Sequence, residues 1–205
     1  RLKIPATSFS CTLWARMYQV LSVLLCTAAT VYTLWYMHFG VPYKNSGALS
    51  KIGLEHRILF TIWGVLTYAA LTMGIKLAFE KTERKRLYIP FSVISGAGML
   101  LTLANEFDYD KKLQYYLHCT GSLLFSAVMG ICIFLLFFLL RKKDKIYLIF
   151  CVTAGVILIV DLICLLIFKE TGLIEALPIF AGYILLTITN LRRDRVEIRR
   201  KVKRT

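Results

Sequence analysis

The side chains in this sequence that could carry proton transfer or polar binding lie in or beside long apolar runs. Asp161 is the most unusual of them, because it separates the apolar runs 154–160 and 162–168. A carboxyl group at membrane depth costs about 2.5–3.5 kcal/mol on insertion scales, so it is expected to find a partner or to reach water. By helical rise it stands about 22 Å into its run, in the non-cytosolic half. The polar layer predicted there consists of His56, Glu106, His118, Asp161 and Glu175.

Three interpretations of this layer remain open. It is a polar network that holds helices together, it binds the headgroup of a lipid, or it is catalytic. In the catalytic case His118 is the general base and Asp161 or Glu106 orients it, which requires a distance of about 2.6–3.2 Å. The sequence has no Gly-x-Ser-x-Gly elbow, no His-Glu-x-x-His motif and no phosphate-binding glycine loop. Because His56 and His118 also lack a convincing third ligand, we predict no catalytic residue, no metal and no cofactor.

The elements that must position these residues are six apolar segments. The chain is 58% hydrophobic with a mean hydropathy of +0.64, whereas soluble domains average about 45–50% apolar residues. The excess is gathered into runs close to the length of about 20 residues that a bilayer requires. We therefore predict an all-α polytopic membrane bundle of six transmembrane helices. They are 17–38, 57–79, 87–104, 114–140, 146–168 and 173–191.

Basic residues at alternate ends of these segments predict their direction. The formal net charge is +14 over 205 residues, with basic patches at 84–86, 141–143 and 192–204. Placing both termini in the cytosol puts 20 Lys and Arg residues on that side and 6 on the other, as the positive-inside rule expects. The charge therefore requires no nucleic-acid partner. The predicted organisation is a cytosolic segment 1–16, a membrane domain 17–191 and a basic cytosolic tail 192–205.

Small residues predict where two of the helices pack. The fourth segment has Ser122, Ser126 and Gly130 at four-residue spacing, so these residues share one helix face. The third segment has Ser92 and Gly96. Small residues let helix backbones approach closely in lipid, where burial of apolar surface does not drive association. We therefore expect these two helices to form a close packing seam.

The basic tail carries two further predictions. Lys201 and Lys203 stand at the third and fifth positions from Thr205, which matches the cytosolic dilysine signal for retrieval to the endoplasmic reticulum. Such a signal is an address that a receptor reads at a C-terminus. We therefore predict the membrane of the endoplasmic reticulum, with plasma membrane, Golgi or lysosome as alternatives. The remaining basic residues either contact anionic lipid or serve only as a solvated orientation signal.

Three stretches of the sequence resemble a known family. Ala-Asn-Glu-Phe at 104–107, the stretch Leu-His-Cys-Thr-Gly-Ser-Leu-Leu-Phe at 117–125, and His-Phe-Gly-Val-Pro at 38–42 are similar to patterns of the DRAM/FRAG superfamily. That group includes DRAM, Sfk-type and PGAP-type six-helix membrane proteins. Lys-Asn-Ser-Gly at 44–47 departs from the acidic turn of DRAM-type members. The resemblance implies work on or around membrane lipids, often through partner proteins, and it implies no particular catalytic residue.

Two functions follow as expectations. The first is a non-enzymatic membrane subunit that binds membrane phospholipid and docks or regulates a larger lipid-handling or lipid-transfer partner. The second is a lipid-remodelling enzyme or factor of the GPI-anchor type. A transporter is less well supported, because the sequence shows neither paired broken helices nor an internal repeat.

Overall fold

The computed structural model describes residues 7–192, with side chains from Arg16 onward. This part of the chain contains α-helices and one short 3-10 turn, Asn45–Gly47, and no strand. Five of the helices are long and apolar enough to cross a membrane, and α4 is a shorter apolar helix. The helices are α1 Thr7–Met37, α2 Leu49–Glu55, α3 Arg57–Phe79, α4 Tyr88–Ala104, α5 Lys112–Leu140, α6 Lys145–Phe168 and α7 Gly172–Leu191.

The apolar runs and the long helices have nearly the same limits. The helix α3 has the predicted ends, and α4 to α7 differ from the predicted segments by one or two residues at their starts. The helix α1 begins well before the predicted position 17. The short helix α2 was not predicted. It lies in the connection 39–56, which was expected to be a loop. The signals at Lys201 and Lys203 lie outside the described residues, as does nearly all of the basic tail.

Contacts near the basic patches place four parts of the chain at one end of the bundle, here called the basic end. Near the start of the described side chains, Gln19 donates a hydrogen bond to the carbonyl of Asn190. The Lys81 ammonium, after α3, donates to the carbonyl of Arg192. The Arg192 guanidinium lies 2.6 Å from the carboxylate of Asp144, in the turn between α5 and α6.

The other connections meet at the opposite end, here called the loop end. The Arg57 guanidinium donates to the carbonyl of Asn105 over 3.0 Å, which joins the start of α3 to the end of α4. The backbone N–H of Leu173 donates to the carbonyl of Pro42 over 3.0 Å. The six apolar helices, α1 and α3 to α7, therefore alternate in direction. Although α4 is shorter than the others, it also extends from one end of the bundle to the other, starting at the basic end. The connections at the loop end are 38–56, 105–111 and 169–171.

The helices α4 and α5 approach each other most closely at two glycines. A Cβ added at Gly121 would lie 2.7 Å from the carbonyl oxygen of Gly98 and 2.7 Å from the amide nitrogen of Thr102. A Cβ at Gly98 would lie 2.8 Å from the carbonyl oxygen of Gly121. Real Cβ atoms do not come this close to backbone, so only glycine permits this seam.

The residues that the sequence analysis assigned to the seam have other neighbours. In α4, Gly96 faces the Tyr68 hydroxyl of α3, where a Cβ would lie 2.7 Å from the oxygen. The same hydroxyl donates to the carbonyl of Ser92 over 2.9 Å. In α5, Gly130 faces Leu158 of α6, where a Cβ would lie 2.5 Å from a methyl group. These three residues join other helix pairs: α3 with α4, and α5 with α6.

The helix α6 is buried only near the basic end. Its buried residues are Tyr147, Phe150, Cys151 and Ala154, and none of the residues 155–168 is buried. The first half of α6 packs on α5, where the Phe137 and Phe150 rings lie 5.4 Å apart. Towards the loop end α6 no longer contributes to the core, and space remains between α5, α6 and α7.

Candidate functional site

A cavity of about 440 Å³ fills the space between α5, α6 and α7 at the loop end. Ligand pockets in proteins usually have volumes of about 300–1,000 Å³, so a small molecule or part of a lipid fits. Most of its wall is apolar, from Leu123 and Ile131 of α5, Leu162 and Leu165 of α6, and Ile179 of α7. Ser122 and Ser126, which were predicted to pack helices, also line this cavity.

The exposed residues among those that line the cavity all belong to α5 and α6, so we infer that the cavity opens sideways between these two helices. Leu123 is 59% exposed and Leu162 is 53% exposed, yet both line the cavity. Ile131, about two turns further along α5, is 47% exposed and lines it too. If these helices cross a bilayer, this opening faces the hydrocarbon region rather than water.

Three residues of the predicted polar layer line this one cavity: His118, Asp161 and Glu175. They come from α5, α6 and α7, so the cavity brings together polar groups from three helices. Asp161 lies seven residues before the end of α6, which is about 10 Å along the helix axis. The polar groups therefore lie near the loop end, and the apolar wall extends towards the middle of the bundle.

His118 is almost fully enclosed, with 1% of its surface exposed. Its Nδ1 lies 3.1 Å from the carbonyl oxygen of Asn105, and its ring packs against the rings of Phe60 and Phe107, with centroids 5.8 and 5.2 Å away. A carbonyl oxygen only accepts hydrogen bonds, so Nδ1 carries the proton. In the neutral ring Nε2 is then an acceptor, and this atom has no partner in the described part of the protein.

Asp161 also has an unpartnered oxygen. Its Oδ1 is enclosed and receives no hydrogen bond from any described residue. Because neither this atom nor His118 Nε2 has a partner, the two atoms are not hydrogen-bonded to each other. The structure therefore contains no assembled acid–base pair at this position.

Glu175 differs from Asp161 in being fully engaged by the protein. Its Oε2 accepts a hydrogen bond from the backbone N–H of Leu49 over 2.5 Å, and its Oε1 accepts from the Ser50 hydroxyl over 2.9 Å. These bonds satisfy donors at the start of α2, which have no partner within that helix. Glu175 thus fastens the first connection to α7 and closes the cavity at the loop end.

Pro178 interrupts the hydrogen bonding of α7 beside the cavity. It lies inside this helix and has no N–H to donate to the carbonyl of Ile174, four residues earlier. Both Ile174 and Pro178 line the cavity. A proline in an apolar membrane segment is tolerated where another group satisfies the freed carbonyl. The sequence analysis missed this residue, although a proline within a predicted span is a visible signal.

The charged groups that line the cavity are all acidic. Asp161, Glu170 and Glu175 contribute carboxyl groups, and no described lysine or arginine is part of the lining. The aromatic side chains of Phe60, Trp63 and Phe107 line the same cavity. The sequence analysis did not single out Glu170, Ser50 or these aromatic rings, because their proximity depends on contacts between distant parts of the chain.

The other two residues of the predicted layer lie elsewhere. His56 separates α2 from α3, and its ring centroid is 4.7 Å from that of Phe39. Glu106 is at the surface, where its carboxylate accepts a hydrogen bond from the Lys111 ammonium over 2.6 Å. This bond raises the pKa of Lys111. Neither His56 nor Glu106 lines the cavity. Among the side chains of residues 16–192, no three from His, Cys, Asp or Glu are placed to hold a metal ion.

The candidate site is thus an apolar cavity with a side opening and an acidic, aromatic-lined end. No family model, no curated protein and no solved structure matches this chain. What the cavity binds is therefore inferred from the residues that line it.

Proposed function

We propose that this protein is an integral membrane protein that binds a membrane lipid in the cavity between α5, α6 and α7. The observation that carries the proposal is the shape of the cavity, which opens sideways beside exposed Leu123 and Leu162 and ends at polar residues. A ligand that enters there comes from the bilayer. Its headgroup lies near His118 and Asp161, and its acyl chain lies along the apolar wall.

Six helices cross the membrane in this proposal, with the basic end in the cytosol. The bias of Lys and Arg towards that end supports the orientation. With 17 residues, α4 is about 25 Å long, slightly shorter than the hydrocarbon core of about 30 Å. Local thinning of the bilayer accommodates such a difference at modest cost. The proposed membrane is that of the endoplasmic reticulum.

We propose further that the protein acts as a non-enzymatic subunit of a larger lipid-handling or lipid-transfer partner. Two features support this role. The chain resembles the DRAM/FRAG superfamily, whose members often act through partner proteins. The second half of α6 also presents apolar side chains to its surroundings, among them Ile159, Ile163 and Leu166, which are 61%, 49% and 76% exposed.

The lipid-binding proposal is tested by mild-detergent purification followed by lipid mass spectrometry. We expect about one phospholipid to co-purify with each chain, and we expect Ser126→Trp to remove it by filling the cavity. Ser126 lines the cavity but is itself exposed, so the substitution leaves the buried core intact. A matched control is Leu100→Trp, at a position of α4 that is 69% exposed and outside the cavity. Equal lipid content in the two variants would contradict the proposal.

The same purification tests for the partner. A large protein at a fixed stoichiometry supports the subunit role, and a chain that purifies alone under several mild detergents contradicts it. The partner is identified by mass spectrometry of the protein bands that co-purify with a tagged chain.

The second candidate function is a lipid-remodelling enzyme, favoured by the unpartnered Nε2 of His118 beside the cavity. In that case His118→Ala abolishes turnover of added lipid while the variant folds normally. Conversion of lipid by the purified wild-type chain, lost in this variant, would replace the subunit proposal. If no lipid is converted, or if the variant stays active, the proposed base has no catalytic role.

A further inference from the structure

The acidic end of the cavity has a chemistry of its own. Asp161, Glu170 and Glu175 line it, and no described lysine or arginine does. A negatively charged ligand group would meet like charges and find no cation there. A positively charged group would meet complementary charges in surroundings where little water is present to screen them.

Two basic residues at the loop end, Arg57 and Lys51, are engaged elsewhere. Arg57 donates to the carbonyl groups of Leu103 and Asn105. Lys51 donates to the side chain of Asn45 and lies over the Tyr109 ring, 5.1 Å from its centroid. Neither side chain lines the cavity.

Two enclosed side-chain atoms of the cavity wall have no partner, and both can accept a hydrogen bond. They are Asp161 Oδ1 and His118 Nε2, which receive no hydrogen bond from the described residues. Enclosed acceptors are usually satisfied in native proteins, so these atoms fit a ligand that brings donors or positive charge.

Aromatic rings complete this environment. Phe60 and Trp63 stack with centroids 5.4 Å apart, and Phe107 packs against His118. All of these residues line the cavity. Phe60 and Trp63 meet each other face to face, so a ligand reaches only the ring surface that this stack leaves free. Aromatic faces attract cations, as in the aromatic cages that hold choline-type groups.

We propose that the acidic end of the cavity recognises the ammonium group of a zwitterionic lipid headgroup, with Asp161 as its principal charge partner. Glu175 is the less suitable partner, because its oxygens already accept from Leu49 and Ser50. The inference rests on the proposed lipid-binding function and adds the class of lipid. A quaternary choline and a primary ethanolamine ammonium share this chemistry, so the experiment distinguishes them.

The test is native mass spectrometry of the full chain with equal amounts of four lipids that carry identical acyl chains. They are phosphatidylcholine, phosphatidylethanolamine, phosphatidylglycerol and diacylglycerol. We expect at least one ammonium lipid to bind about tenfold more strongly than phosphatidylglycerol. Phosphatidylglycerol lacks the ammonium group, and the loss of one hydrogen bond to a charged group has an effect of about this size. If phosphatidylcholine binds more strongly than phosphatidylethanolamine, the aromatic rings are the main contact of the ammonium group. If phosphatidylethanolamine binds more strongly, the main contacts are the acceptor atoms.

Variants separate the charge from the fold. Asp161→Asn is expected to lose most of the preference for the ammonium lipid, and Asp161→Glu to retain much of it. Glu106→Gln is the matched control, because this surface carboxylate lies outside the cavity. The melting temperature of each variant shows whether it folds. If a variant does not fold, the lipid preference of the wild-type chain tests the proposal by itself.

The two proposals fail in different ways. If no lipid binds to the wild-type chain, the proposed function is contradicted. If lipids bind but phosphatidylglycerol or diacylglycerol binds as well as the ammonium lipids, only the present inference is overturned. An Asp161→Asn variant with undiminished selectivity contradicts the role assigned to Asp161.

Discussion

The carboxyl groups of α6 and α7 that line the cavity, Asp161 and Glu175, differ in what surrounds them. Glu175 accepts hydrogen bonds from the first residues of α2, whereas Asp161 Oδ1 is enclosed without a donor. An acid at this depth is unfavourable unless it is satisfied. Glu175 therefore contributes to the stability of the fold, and Asp161 lowers it.

Replacing Asp161 with Leu should accordingly leave the purified protein at least as stable as the wild type. The substitution removes a polar group that costs about 2.5–3.5 kcal/mol on insertion scales and breaks no described hydrogen bond. Thermal unfolding in detergent, without added lipid, measures this. A melting temperature several degrees below that of the wild type would mean that Asp161 holds the helices together.

Replacing Glu175 with Leu should have the opposite effect. The donors of Leu49 and Ser50 lose their acceptors, at a cost of about 1–3 kcal/mol for each buried donor left unsatisfied. The same unfolding measurement should give a clearly lower melting temperature. Glu175→Gln is the control, because one side-chain oxygen remains to accept, and it should lie between the wild type and Glu175→Leu. Equal stability of all three chains would contradict the structural role of Glu175.

At the scale of the elements, the seam between α4 and α5 depends on two glycines, and the sequence predicted the seam on other residues. Positions four apart share a helix face, so Ser122, Ser126 and Gly130 were expected on one face of α5. Periodicity alone does not reveal which helix that face meets. In the structure, Gly98 and Gly121 form the contact between backbones.

Gly121→Ala is predicted to destabilise the protein by about 1–3 kcal/mol, the usual effect of forcing a methyl group into a filled interface. The new Cβ would meet backbone atoms of Gly98 and Thr102 at 2.7 Å, and backbone does not yield without separating the helices. Resistance to unfolding by heat in detergent gives the comparison with the wild type.

Gly155→Ala is the matched control within α6. Its Cβ would lie 3.3 Å from the edge of the Phe134 ring, which a small shift of that ring accommodates. Alanine also favours helix over glycine by about 0.8–1.0 kcal/mol in soluble hosts. We expect this variant to be as stable as the wild type or more stable. A loss of stability equal to that of Gly121→Ala would contradict the importance of the glycine seam.

For the whole molecule, hydropathy was sufficient to predict the long helices, but it did not predict which helix faces contact each other. Continuous apolar runs fixed their ends to within a few residues for α3 to α7. The short helix α2 was missed because its seven residues form no long run. Counting helical rise placed His118, Asp161 and Glu175 at a similar depth, but depth does not determine direction around a helix axis. His56 and Glu106 lie between helices rather than within them, and they are away from the cavity that the other three residues line.

The orientation of the bundle gives a prediction for the whole chain. A cysteine introduced at exposed Lys142, at the basic end, should react with a membrane-impermeant thiol reagent on the cytosolic side of sealed microsomes. A cysteine at Tyr43, which is 71% exposed at the loop end, should react only after permeabilisation. Labelling is compared with that of the parent chain, which retains its own cysteines. Reaction of both positions from the same side would contradict the proposed crossing of the membrane.

The attachment of the first connection to α7 has a consequence for how a bound molecule is exchanged. The bond from Leu173 to Pro42 and the bond from Leu49 of α2 to Glu175 tie the first connection to α7 beside the cavity, at the loop end. A lipid held in the cavity would leave by the lateral route, with its tails always in hydrocarbon. Occupancy would then follow the mole fraction of that lipid in the surrounding leaflet. Its concentration in the aqueous phase would have no influence, so altering leaflet composition is the direct means of filling or emptying the protein.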